Sequence, residues 1–74
     1  MKIYVSSALK KDDIIALLTG YRENGVSFAF VKKTGMKMEF EAAGTEGAAA
    51  VDLVKRLIRN TDYGPALYFS VSEI

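Results

Sequence analysis

Residues Val26 to Ala42, VSFAFVKKTGMKMEFEA, decide the fold of this 74-residue chain. Apolar and polar residues alternate on both sides of the break at Lys32–Gly35, which is the pattern of two strands joined by a tight turn. The turn fixes the face that Phe28 and Phe30 occupy. A two-residue turn of Thr34-Gly35 would set them opposite Glu41 and Glu39, on the outer face. It demands positive φ at Thr34, which is costly for a β-branched residue. A three-residue turn, Lys33-Thr34-Gly35, needs positive φ only at Gly35. It pairs Phe30 with Met38 and Phe28 with Phe40 on one buried face and leaves Lys37, Glu39 and Glu41 outside. The lower backbone cost makes this the expected register.

Working outward, the residues before the hairpin predict a strand and a helix. Lys2–Ser6 (KIYVS) alternates, with Ile3 and Val5 on one side and Tyr4 and Ser6 on the other. Ser7–Lys11 is a connection from which Leu9 is expected to reach the core. Asp12–Asn24 is expected to be a helix. Its first turn carries Asp12 and Asp13, favoured there by the helix dipole, and Ile14, Leu17, Leu18 and Tyr21 follow the spacing of a buried stripe. Gly20 inside that helix costs about 1 kcal/mol relative to Ala, with no compensating feature in the sequence. Asn24-Gly25 is taken as the stop signal.

After the hairpin, Thr45 is the expected N-cap of a second helix over residues 47–60. Ala50, Val54, Leu57 and Ile58 form its stripe, and Lys55, Arg56 and Arg59 lie toward its C-terminus. The loop TDYGP (Thr61–Pro65) precedes a last strand, Ala66–Ile74, with Leu67, Phe69 and Val71 inward and Tyr68, Ser70 and Ser72 outward.

The predicted order is β-α-β-β-α-β in one small α+β domain. This order resembles the ferredoxin-like fold. The resemblance implies a four-stranded antiparallel sheet, spatial order 4-1-3-2, with both helices on one face. It names no activity, because that arrangement hosts many.

Composition excludes several chemistries. Half the residues are apolar and one is proline, so the chain is globular in type. It has no Cys and no His. Disulfides, the usual zinc sites and Ser–His or Cys–His catalysis are therefore outside its repertoire. No catalytic residue, metal site or cofactor is assigned. The glycines lack the spacing of a phosphate loop. The first residues lack a signal-peptide pattern, and no apolar run approaches the roughly 18 residues of a membrane span. A cytoplasmic protein without a membrane partner is the expectation.

Ten cations against nine carboxylates give a net charge of +1, so position matters more than total. The predicted topology gathers Lys10, Lys11, Lys32, Lys33, Lys37, Arg56 and Arg59 at one end, blunted by Asp12, Asp13 and Asp62, and Glu23, Glu41, Glu46, Glu73 and the C-terminal carboxylate at the other. Such an end suits phosphates or an acidic protein surface. The bland alternative is solvated lysines with arginines placed to suit a helix terminus. The open sheet face is the second candidate, with Tyr4 and Tyr68 projecting side by side. Ile3-Tyr4-Val5-Ser6-Ser7 is similar to the first-strand motif of RNA-recognition-motif domains. That resemblance implies a base stacked on Tyr4. The family's aromatic octamer is not matched on the third strand, where Lys37, Glu39 and Glu41 project instead.

The favoured reading is a non-enzymatic protein-interaction module or small protein inhibitor. It would bind another protein, or a second copy of itself as a homodimer, through the open sheet face, the edge of the second strand or the basic hairpin end. The alternatives are a nucleic-acid-binding domain that uses Lys32, Lys33, Lys37, Arg56 and Arg59 with Tyr4 and Tyr68 stacking, and an accessory subunit of an enzyme.

Overall fold

The structure is a computed structural model and describes residues 1–73. The expected end of the last strand, Ile74, lies outside the described residues. The elements are β1 (Lys2–Ser7), α1 (Lys11–Thr19), β2 (Arg22–Glu23), β3 (Val26–Thr34), β4 (Lys37–Ala43), α2 (Gly47–Arg59) and β5 (Phe69–Glu73). A single 3-10 turn at Gly64–Ala66 precedes β5. All strands belong to one antiparallel sheet in the order β2-β3-β4-β1-β5, so the sheet has five strands where four were expected. Both helices cover one face. Ile14 and Leu18 of α1 and Ala50, Val54 and Ile58 of α2 are buried against Ile3, Val5, Phe28, Met38, Phe40 and Val71 of the sheet. Burying each of the larger side chains contributes about 1.5–3 kcal/mol.

The fifth strand corrects the first helix. α1 ends at Thr19; the Gly20 N–H bonds back to the Ala16 carbonyl and the Tyr21 N–H to the Leu18 carbonyl. Gly20 therefore closes the helix and does not interrupt it. Asn24 and Gly25 both take positive φ, 54° and 75°. They form a two-residue hairpin loop between Glu23 and Val26, as Asn-Gly does in type I′ turns. The same dipeptide stops helices, but here the helix had already stopped. Tyr21, predicted to sit on the helical stripe, instead packs its ring against Phe28, 6.1 Å between centroids.

The central hairpin turns one residue later than expected. Thr34 pairs with Lys37, so the loop is Gly35-Met36, with positive φ at Gly35 alone. A glycine first in a two-residue loop is the type II′ pattern, which suits the twist of the strands. Further down, Phe30 pairs with Phe40 and Phe28 with Ala42, not with Met38 and Phe40. A bulge between Phe30 and Lys32 reconciles the two registers by leaving Val31 as the extra residue. Phe28, Phe30, Met38 and Phe40 all lie on the helix-covered face, and Phe30 meets Phe40 edge-on at 5.7 Å. Phe30 is nonetheless 39% exposed, because β4 flanks β3 on one side and β2 covers the other side only at its start.

Three smaller expectations also give way. Leu9 points to solvent and not into the core. Glu46, and not Thr45, occupies the N-cap position of α2. β5 begins at Phe69, so Tyr68 precedes the strand.

Candidate functional site

The open face of the sheet is built from small and polar side chains around one aromatic. Tyr4 of β1 lies opposite Glu39 of β4 and Ser72 of β5, and Ser6 lies opposite Lys37 and Ser70. Lys32 faces Glu39 across the hairpin. Tyr4, Lys32, Thr34, Lys37 and Glu39 enclose a shallow cavity of about 200 Å³. The Lys37 ammonium stands 4.5 Å from the centre of the Tyr4 ring, a cation–π contact. Glu39, expected on the surface, is only 6% exposed, and Lys2 approaches its carboxylate at 3.6 Å. The ring face that base stacking would use thus carries a lysine, and Tyr4's cross-strand partner is a carboxylate.

Tyr68 does not join this group. On β5 the partner of Tyr4 is Ser72. Tyr68 lies four residues back, about 13 Å along a strand rising 3.3 Å per residue. β5 is an edge strand of the sheet. Tyr68 is 93% exposed and shares a shallow groove with Arg59, Pro65 and Leu67. The expected pair of neighbouring tyrosines is therefore not formed. The strand order had already made the last strand an edge, and that alone argued against two adjacent central rings.

The expected cations divide between surfaces. Lys32 and Lys37 border Tyr4 on the open face. Lys33 turns to the helix side, where Asp12 of the first helical turn approaches it at 3.7 Å. This exposed pair contributes little. Arg56 and Arg59 line a groove on the outer side of α2 with Lys55 and Asp52. Lys10 caps α1 in a left-handed conformation, its ammonium 5.9 Å from the Tyr63 ring. Burial holds the Tyr63 phenol above its usual 10, with Asp13 adding to the rise and a hydrogen bond with Thr61 opposing it.

Sequence reasoning expected the second strand to be an edge, with Phe28 and Phe30 in its middle and Lys32 and Lys33 near the turn; it did not foresee the short β2 at its start or the exposure of Val31. β2 pairs with only Ser27 and Val26 of the nine-residue β3. From Phe28 to Thr34 the strand has β4 on one side and, among the described residues, no strand on the other. This run carries Phe30 and Val31, the latter 46% exposed, and it ends in Lys32 and Lys33. The hairpin tip beside it presents Met36, 55% exposed, whose carbonyl accepts the Ser7 N–H. Exposed Leu9 follows two residues after Ser7, held by hydrogen bonds to the Ser7 hydroxyl. Phe30, Val31 and the two lysines therefore lie along the β3 edge, while Met36 and Leu9 are exposed at the hairpin tip on its β1 side. Among the described residues no helix is long and apolar enough to cross a membrane. No protein-family model, no curated protein and no solved structure matches the chain.

Proposed function

We propose that this chain is a non-catalytic protein-interaction domain that binds through the open edge of β3 and the adjoining hairpin tip. One observation carries the reading: among the described residues no strand pairs with the outer side of Phe28–Thr34, and Phe30 and Val31 within that run are partly exposed. Unpaired strand edges template pairing with another chain. Strand addition uses the backbone for affinity and the alternate side chains for specificity. The order β3-β4-β1-β5 beneath two helices supports a relation to the ferredoxin-like arrangement, with β2 added at the edge. A domain of this kind can serve as an inhibitor or as an accessory subunit without chemistry of its own. The chain's lack of Cys suits a reducing, cytoplasmic setting.

The test is affinity capture from native lysate with the retained protein identified by mass, using the wild-type chain, Val31→Lys and Tyr68→Ala. The expected result is a protein held by wild type and Tyr68→Ala and lost by Val31→Lys. Equal capture by all three rejects the edge. Retention of nucleic acid alone, lost in Lys32→Glu and Lys33→Glu, transfers the reading to nucleic-acid binding.

A further inference from the structure

We infer that the occupant of the β3 edge is an extended acidic segment of a partner protein, with adjacent carboxylates opposite Lys32 and Lys33 and apolar residues beside Phe30 and Val31. This rests on the edge reading above and adds the partner's chemistry. Consecutive residues of a strand point to opposite faces. Lys32 faces the open side with Tyr4 and Thr34, and Lys33 faces the helix side near Asp12. A strand laid along β3 meets both ammonium groups only if two neighbouring residues carry carboxylates, one on each face. Glu39 is engaged with Lys2, which leaves Lys32 to an incoming group. Asp12 is almost fully exposed and holds Lys33 at 3.7 Å, so a partner carboxylate can replace it at small cost.

A second copy fits the same edge less well. A two-fold pairing of the whole open run would centre on Val31. It would gather Lys32 and Lys33 from both copies, four cations with no carboxylate on either strand between Phe28 and Thr34. In that register each Lys32 stands opposite the other copy's Phe30 with the second Lys32 diagonal to it, and like charges that close weaken the pairing. The bulge at Val31 also bends the edge away from a long flat register. Both devices discourage self-association and still leave room for a short strand that brings negative charge.

The experiment measures amide hydrogen exchange and peptide binding on the full chain. The probe is a capped peptide of about six residues with a Glu pair followed by Val-Thr-Val. A counterpart has Lys at both Glu positions. The acidic probe is expected to slow exchange within residues 28–34, to bind more weakly as salt rises, and to lose at least about tenfold in affinity when Lys32 and Lys33 are both changed to Glu. Single reversals serve if the double variant fails to fold. Equal binding of the lysine probe overturns the inference. So does absence of protection at residues 28–34 with either probe. Protection that grows with protein concentration and needs no peptide assigns the edge to a second copy and overturns it as well. The underlying reading fails separately, when Val31→Lys leaves partner capture intact; a partner still lost in that variant after both probes fail means that only the assigned chemistry was wrong.

Discussion

The two strands of the central hairpin have similar sequences and opposite fates. β4 buries Met38, Glu39, Phe40 and Ala42, whereas β3 buries only Val26 and Phe28. β4 has β3 on one side and β1 on the other and lies under the helices, while most of β3 has a neighbour on one side only. Phe30 and Phe40 are direct cross-strand partners on one face, yet one is 39% exposed and the other fully buried. Position in the sheet, and not side-chain type, decides which aromatic stabilises the core and which is left for a partner.

The sharpest way to break the comparison is to remove each ring. Phe40→Ala is expected to cost about 3–5 kcal/mol, the range for deleting a buried phenylalanine. For a small domain whose total stability is about 5–15 kcal/mol, that is a large share. Phe30→Ala should cost about 2 kcal/mol, since much of that ring never leaves water. Denaturant midpoints of the two variants test the ratio. Equal losses would mean that the Phe30 edge is covered in solution.

A smaller effect isolates the turn that sets the register. Gly35 has φ of +59° and open space around its missing Cβ, so Gly35→Ala meets no steric contact. The cost is the left-handed backbone alone, about 1 kcal/mol, or a shift of roughly 4–8 °C in Tm for a chain of this size. A neutral result would show that residue 35 is not held at positive φ, and that the Gly35-Met36 loop does not set the register.

That choice of loop marks where the sequence stopped being legible. Period-two alternation correctly placed Met38, Phe40, Ile3 and Val5 inward, because burial on one face writes itself into every second residue. Helical spacing did the same for Ile14 and Leu18, and for Val54 and Ile58. The bulge at Val31 left no such trace. It adds one residue to one strand, so two registers coexist in one hairpin and no single turn length predicts both. Asn24-Gly25 was visible but ambiguous, since Gly at positive φ serves helix ends and hairpin loops alike. Reading Gly20 as the end of α1 would have freed the dipeptide for the hairpin that forms β2. At the candidate site, the outward positions of Lys37 and Tyr4 were legible from alternation. Their contact was not, because it depends on the β1–β4 register, which local sequence does not specify.

The smallest expected effect concerns the outer side of β4, where neighbours again supply what β3 lacks. Glu41 accepts a hydrogen bond from the Met1 ammonium, which also bonds to the Ala42 carbonyl. That hydrogen bond holds the Glu41 carboxyl below its usual 4.5; slight burial opposes the shift, and the charges of the ammonium and Lys2 add to it. A carboxyl that ionises more readily in the folded chain stabilises the fold at pH above 4.5, where both states are ionised. The contribution fades as pH falls from 4.5 through the lower folded value, because the unfolded chain then binds the proton more readily. Folded-state titration of the Glu41 carboxyl by NMR should therefore give a midpoint below 4.5, and acetylating the Met1 amine should move it back up. Glu41→Gln should flatten this part of the pH dependence of Tm. Lys32 on the β3 side has no tether of this kind at its partner Glu39, so reversing its charge should leave that acid limb unchanged. A Glu41 midpoint at or above 4.5 would show that β4 is not held at its outer end by the chain terminus, and would reduce the contrast between the two strands to burial alone.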